Sequence, residues 1–283
     1  MFKVGLSSCG KEIDEKLFSE YKKSGIGFME ISMSYEKLEE FDYKKTQKLA
    51  QKYGINLWSF HLPFERACYD ISQLDEQKRS LCVKTLSELI KKAADIGIDK
   101  FVIHPSREPI EDEERNAKIE KSKQSLKELS CVAVASGGVL AVEDLPRTCL
   151  GNSSSELLEL VLSDENLRIC LDTNHMLMEN PADLIRNVGK RIITTHISDY
   201  DFINERHWLP GEGKINWNEI VAALKEVNYN GVWLYEIGFK CPKTIIRDRD
   251  LVCDDFTRNA KEIFMGKDIT VFSRHKENLG MWE

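Results

Sequence analysis

Six short apolar runs in this chain each end on a carboxylate or an imidazole. They are INLWSFH at His61, KFVIH at His104, GGVLAVE at Glu143, LRICLD at Asp172, RIITTH at His196 and GVWLYE at Glu236. An ionisable group at the end of a buried strand is costly to take out of water, so its repetition calls for a common cause. Strand ends that converge on one ligand-binding place supply that cause.

The pattern between the runs says how they converge. Candidate strands are Lys3–Ser8, Gly27–Met33, Asn56–His61, Lys100–His104, Val139–Glu143, Arg168–Asp172, Arg191–His196 and Val232–Glu236. Amphipathic segments alternate with them. In Ser80–Ile96, Leu81, Leu86, Leu89, Ile90, Ala93 and Ile96 recur near helical spacing, and Gly97 marks the stop. Others run over Glu12–Ser24, Tyr43–Tyr53, Glu113–Ser136, Ser154–Leu162, Ala182–Val188, Trp217–Val227 and Asp255–Phe264. Eight strands, each followed by a helix, make the count of a closed (β/α)₈ TIM barrel of the α/β class, whose active site lies where the strands end. An open doubly wound sheet alternates too, but would not bring six strand ends around one pocket. The reading is a single barrel over residues 1–265 and a polar tail over 266–283, whose Phe272, Met281 and Trp282 are candidates to dock on the barrel or a partner.

A formal charge of −7 argues against a non-specific nucleic-acid binder, which usually presents a basic face. The eight cysteines lack paired short spacings, and Cys82, Cys131 and Cys170 sit in apolar patterns that suit buried free thiols. The segment MFKVGLSSCG has no long apolar stretch and no window reaches a membrane span, so a cytoplasmic protein without a membrane partner is expected.

Glu143, Asp172, His196 and Glu236 bring three carboxylates and one imidazole from four consecutive strands. Like charges brought together repel and raise their own pKa values unless a cation neutralises them. Mixed carboxylate–imidazole ligation suits Mn²⁺, Co²⁺, Zn²⁺ or Fe²⁺ better than Ca²⁺, which makes these four the candidate ligands of a divalent ion. His61 and His104, on adjacent strands beside them, are candidate substrate-binding groups. His175 follows Asp172 by three residues, just past its strand. The loop ISDYDFINERHWLPGEG after His196 carries Asp199, Glu205, Arg206 and His207, and a long loop in that position covers the site. Trp208 in that loop is a candidate to stack on a sugar face, whereas Trp58 and Trp233 read as core.

The segments VEDLPR, CLDTNH, THISDY, RHWLPGEG and YEIG resemble the xylose isomerase-like barrels, specifically their sugar phosphate isomerases and epimerases. The resemblance runs from Lys3 to Phe264 and is strongest from Glu143 to Glu236. It implies a metal-dependent isomerase or epimerase acting on a sugar or sugar phosphate by proton transfer through a metal-stabilised cis-enediolate. The implied roles are metal ligation by Glu143, Asp172, His196 and Glu236, and acid–base work by Glu143 and Glu236. Substrate contacts fall to His175 and Arg206, with His61, His104 and His207 shaping the pocket. The same superfamily includes endonuclease IV-type apurinic-site phosphodiesterases with three zinc ions. Their nine ligand positions match His61, His104, Glu143, Asp172, His175, His196, Glu205, His207 and Glu236. Glu205 stands where those nucleases have aspartate, and Asp-Leu-Pro-Arg replaces their small-residue stretch after Glu143. On this alternative His175, Glu205 and His207 hold additional metal. A keto-sugar lyase sharing the first proton abstraction is a further alternative, and the sequence leaves open a homo-oligomer.

Overall fold

The structure, a computed structural model, describes residues 1–276. Eight parallel strands form one sheet: β1 (Lys3–Ser7), β2 (Phe28–Ile31), β3 (Asn56–His61), β4 (Lys100–Ile103), β5 (Val139–Glu143), β6 (Arg168–Asp172), β7 (Ile192–His196) and β8 (Val232–Tyr235). Each pairs with its sequence neighbour up to β7, and β1 pairs with β8. The remaining seam closes just beyond the strand ends. There the Ile197 N–H donates to the Leu234 carbonyl at 2.8 Å, and the Glu236 N–H to the Ile197 carbonyl at 3.3 Å. The fold is a (β/α)₈ TIM barrel, and its seam lies beside His196 and Glu236.

The helices are α1 (Glu15–Lys23), α2 (Tyr35–Leu38), α3 (Tyr43–Tyr53), α4 (Glu76–Ala94), α5 (Asp112–Ala135), α6 (Ser154–Val161), α7 (Pro181–Val188), α8 (Trp217–Glu226) and α9 (Cys253–Phe264). Their starts are written in the sequence. Asp14, Asp42, Asp75, Ser153, Asn180 and Asn216 each accept a first-turn backbone N–H through the side chain. Gly54 ends α3 in the left-handed conformation (φ +66°), which lets the chain turn directly into β3. No described helix is long and apolar enough to cross a membrane.

Side chains alternate across a strand, so the group two residues before each strand-end ligand also faces the barrel interior. Five of these six positions are small or slender, with Leu234 before Glu236 the larger one: Ser59, Val102, Ala141, Cys170, Thr194 and Leu234 are all fully buried, and Val102, Ala141 and Cys170 pack as a separate cluster. Two bulges fill the space beneath. Met29 pairs with Leu57 but Glu30 with Ser59, which leaves Trp58 as an extra residue. Its Nε1–H reaches Thr194 Oγ1 across the barrel at 3.0 Å. Ile169 pairs with Ile192 but Cys170 with Thr194, making Ile193 the second extra residue.

Four expectations are corrected. Leu81 lies 63% exposed rather than on the buried stripe of α4, because the helix turns that position to solvent. Cys131 is exposed on α5, whereas Cys82 and Cys170 are buried. Trp58, expected as core, is only half-buried where it reaches across the barrel interior. The segment after residue 265 is not without structure, since β10 (Ser273–His275) pairs antiparallel with β9 (Ile245–Arg247). Phe272 lies beneath the Arg249 and Arg258 guanidinium groups, whose centres are 5.0 and 4.6 Å from its ring, while Met281 and Trp282 fall outside the described residues.

Candidate active site

Glu143, Asp172, His196 and Glu236 come together at the C-terminal mouth of the barrel, one ligand atom of each lying within 4.8 Å of the others. All four are buried. His196 Nδ1 is 2.8 Å from Glu143 Oε1, 3.5 Å from Glu236 Oε2 and 4.0 Å from Asp172 Oδ2. Both flanking histidines meet the other oxygen of Glu143: His61 Nε2 at 3.1 Å and His104 Nε2 at 3.2 Å. Asp172 Oδ2 is buried without a hydrogen-bond partner among the described residues. An orphaned carboxylate oxygen facing two more carboxylates and an imidazole is a donor set that a divalent cation satisfies, so these residues fit the ion the sequence anticipates.

A second group stands beside the first. His175, Glu205 and His207 also bring ligand atoms within 4.8 Å of one another. His175 Nδ1 donates to the Asp144 carbonyl at 2.7 Å, which directs Nε2 to Glu205 Oε2 at 3.2 Å. The Arg147 Nη2–H donates to the other Glu205 oxygen at 2.8 Å. His207 sits in the left-handed backbone region (φ 51°). It is held there by a bond from its N–H to Asn174 Oδ1 at 3.2 Å and by the two-way pairing of Asp199 with Trp208.

The electrostatics follow from crowding. Burial alone would raise the Glu143 carboxyl, but the charges and hydrogen bonds of His196 and His104 hold it well below the usual range. Glu236 is raised, by burial first and then by the charge of Glu143, despite His196. Burial would lower His61, but the hydrogen bond and charge of Glu143 with the charges of Glu30 and Glu236 carry it up to about 9, while burial takes His104 down to about 4. Burial would also lower His196 and His175, yet Cys170 and the surrounding carboxylates raise His196, and the carboxylates of Asp172, Glu205 and Glu143 raise His175, well above the ordinary value.

A cavity of about 520 Å³ opens above these groups, and Glu143, Glu236, His104, His175, Glu205 and His207 contribute to its lining. Two residues that sequence reasoning singled out stand apart. The Arg206 side chain is fully buried with Nε 2.9 Å from Asp201 Oδ2, and it is not among the lining residues. Trp208 is fully buried, its Nε1–H donating to Thr244 Oγ1 at 2.8 Å and its ring stacked on His275, so it offers no face to a sugar.

Three functional neighbours escaped sequence reasoning. Glu30, in the apolar run Phe28–Ile31, is fully buried and contacts His196 Nε2 at 3.0 Å. A carboxylate inside an apolar strand was the available signal. Asp144 is buried with Oδ1 accepting the Asp172 N–H at 2.7 Å, and burial raises its carboxyl. Lys11 lines the cavity with Nζ donating to the carbonyls of Ser7 (2.8 Å), Cys9 (3.1 Å) and Ile237 (2.7 Å). Nothing in its polar sequence context distinguishes it from a surface lysine.

The family description "xylose isomerase-like TIM barrel" matches residues 18–249. Among relatives, a protein of uncharacterised function from Methanocaldococcus jannaschii is 28% identical over 198 residues, 67% of each chain. A D-psicose 3-epimerase from Enterocloster bolteae is 34% identical over 119 residues, 40% of this chain and 38% of that one. Inosose isomerase of Bacillus subtilis is 27% identical over 178 residues, 58% and 62% of the two chains. The match thus spans less than two thirds of either enzyme. Among solved structures, a D-tagatose 3-epimerase-like protein superposes with a TM-score of 0.78 at 23% identity, over 93% of this chain and 96% of that one. A 3-keto-D-glucoside 4-epimerase from E. coli gives 0.73 at 18% identity, over 94% and 100%. At these identities the structural likeness establishes the fold. With the matched span covering most of the barrel, the chain belongs to the xylose isomerase-like TIM barrel family.

Proposed function

We propose that this chain is a divalent-metal-dependent sugar isomerase or epimerase, with Glu143, Asp172, His196 and Glu236 holding one Mn²⁺-, Co²⁺- or Zn²⁺-type ion. The convergence of those four side chains around the unpartnered Asp172 Oδ2 carries the reading. When bound, the ion supplies Lewis-acid polarisation of a substrate carbonyl and neutralises the clustered carboxylates.

The chain's own groups account for the proton transfer. Glu236, raised by burial and by its carboxylate neighbour, is the stronger base and the better proton store. Glu143, ringed by imidazoles, is held ionised. Carboxylates pushed apart in this way suit paired acid–base roles. One takes the proton from the carbon beside the carbonyl to leave a cis-enediolate of the sugar. Its return to the other face is epimerisation, and its return to the neighbouring carbon is isomerisation. A keto-sugar lyase shares the first step and parts from these at the second. His104, His175 and His207 line the cavity and bind substrate oxygens, and His61 supports Glu143 from below. Arg206 acts on the loop through Asp201.

The lining favours an uncharged polyol over a sugar phosphate. Glu65, Glu143, Glu205 and Glu236 face the cavity, Lys11 is spent on three carbonyls, and Lys37 is paired with Glu12. The names of the relatives, a ketose epimerase and an inosose isomerase, agree with sugar chemistry. A phosphodiesterase reading is favoured by one observation, the second ligand group His175, Glu205 and His207. The acidic cavity opposes it, since a nucleic acid brings its own negative charge.

Solvent-exchange kinetics test the proposal. In D₂O the metal-loaded protein incorporates deuterium into a ketose beside the carbonyl, and Glu143→Gln and Glu236→Gln each slow this by about 10²–10⁴-fold. Retention of exchange in both variants refutes the two-glutamate mechanism.

A further inference from the structure

We infer that Glu30 is a positioning residue that fixes the His196 imidazole with Nδ1 aimed at Glu143, Asp172 and Glu236, and so sets its competence as a metal ligand. The inference rests on the metal site proposed above and concerns a residue outside the ligand set.

A fully buried carboxylate in the middle of an apolar strand is costly, and Glu30 Oε1 has no hydrogen-bond partner among the described residues, so the bonds made by the other oxygen call for a reason. Glu30 Oε2 receives two donors, Ser59 Oγ at 2.7 Å and His196 Nε2 at 3.0 Å. Ser59 is its register partner on β3, brought opposite by the bulge at Trp58. A bulge that places a serine there orients the Glu30 carboxylate toward β7.

The consequence for His196 is specific. Its ring lies parallel to His61 with centroids 5.5 Å apart, and that stacking fixes the ring plane without distinguishing the two nitrogens. Both nitrogens face carboxylate oxygens, Nε2 that of Glu30 at 3.0 Å and Nδ1 that of Glu143 at 2.8 Å, but only Glu143 belongs to the ligand set. An ionised carboxylate accepts and cannot donate, so the nitrogen facing it carries hydrogen. A cation held by Glu143 would take the Nδ1 lone pair in place of the hydrogen there, and Glu30 keeps the remaining hydrogen on Nε2. Carboxylate, imidazole and cation in line are a recurring means of fixing the orientation and basicity of a ligand histidine.

The test uses the whole chain, stripped of metal and reloaded, as wild type, Glu30→Gln and Glu30→Met. Glutamine keeps an acceptor for the Nε2–H, and methionine fills the volume without one. Thermal melts of the metal-free proteins establish folding. Co²⁺ affinity by competition with a chelator falls about 10–100-fold in Glu30→Met, with most of the loss recovered in Glu30→Gln. Long-range ¹⁵N NMR of the Zn²⁺-loaded wild type places the His196 hydrogen on Nε2, and in Glu30→Met that single tautomer is lost. Unchanged Co²⁺ affinity in a folded Glu30→Met protein overturns the positioning role and leaves the metal site standing. A wild-type hydrogen on Nδ1 overturns it even where Glu30→Met does not fold. Wild-type protein that binds no divalent ion overturns the metal site itself, and this inference with it.

Discussion

Replacing Glu212 with Ala strands the fully buried Arg247 guanidinium beneath the loop that carries Glu205 and His207. The two side chains are both 0% exposed, and Arg247 Nε donates to Glu212 Oε1 at 2.9 Å. Glu212 also ties the loop internally, its Oε2 accepting the Leu209 N–H at 2.9 Å and its carbonyl meeting His275 Nε2. Leaving one partner of a buried pair uncompensated costs about 3–5 kcal/mol. The orphaned Leu209 N–H adds about 1–3 kcal/mol. At about 2–4 °C per kcal/mol for a chain near this size, the ionic part alone lowers Tm by roughly 6–20 °C. Arg247→Met leaves Glu212 as the stranded charge and costs a comparable amount. The double variant Glu212→Ala with Arg247→Met has no buried charge, so it is less destabilised than the sum of the single variants by at least about 2 kcal/mol. Urea denaturation of the four proteins measures this cycle. Additive losses, or a Glu212→Ala penalty below about 1 kcal/mol, refute the argument that this ion pair anchors the loop.

Two further predictions concern the scaffold. Burial alone would raise the Asp255 carboxyl, but hydrogen bonds from Arg249 and the Val252 N–H, with the charge of Arg258, bring it below the ordinary value. A folded value below the unfolded one, about 3.9, gives stability that is present above that pH and lost as pH falls through the folded value. The stability gap between wild type and Asp255→Asn should therefore be full at pH 7 and close below about pH 4, as followed by denaturant titration; a gap independent of pH contradicts it. In Gly213→Ala the new methyl would overlap Asp199 Oδ1 and the Tyr200 carbonyl oxygen. Both are held in place, Asp199 by the indole of Trp217 at 2.9 Å, so a loss of at least about 1–3 kcal/mol is expected in the same assay. A neutral result would mean that the loop shifts freely.

The eight strands were legible because each is a short apolar run, several of them preceded by a helix-stop glycine such as Gly54 or Gly97, and the six ionisable strand ends marked the mouth of the barrel. What was hidden depended on geometry that periodicity does not encode. Glu30 lies three residues short of Met33, its expected strand end, so the rule that looks at strand termini passes over it. Trp58 and Ile193 turn inward because of bulges, which sequence alternation does not announce. Arg206 and Trp208 fall in a loop whose path is set by Asp199, Asp201 and Asn174, each bonded to backbone groups elsewhere in the loop. That path turns both side chains into protein rather than into the cavity.

The claim that one divalent ion sits among Glu143, Asp172, His196 and Glu236 is tested most directly by elemental analysis of protein purified without a tag, alongside Asp172→Asn. The account predicts one Mn-, Co- or Zn-type ion per chain, lost in the variant while the protein stays folded. Three zinc ions per chain, or an ion retained undiminished in Asp172→Asn, would contradict it.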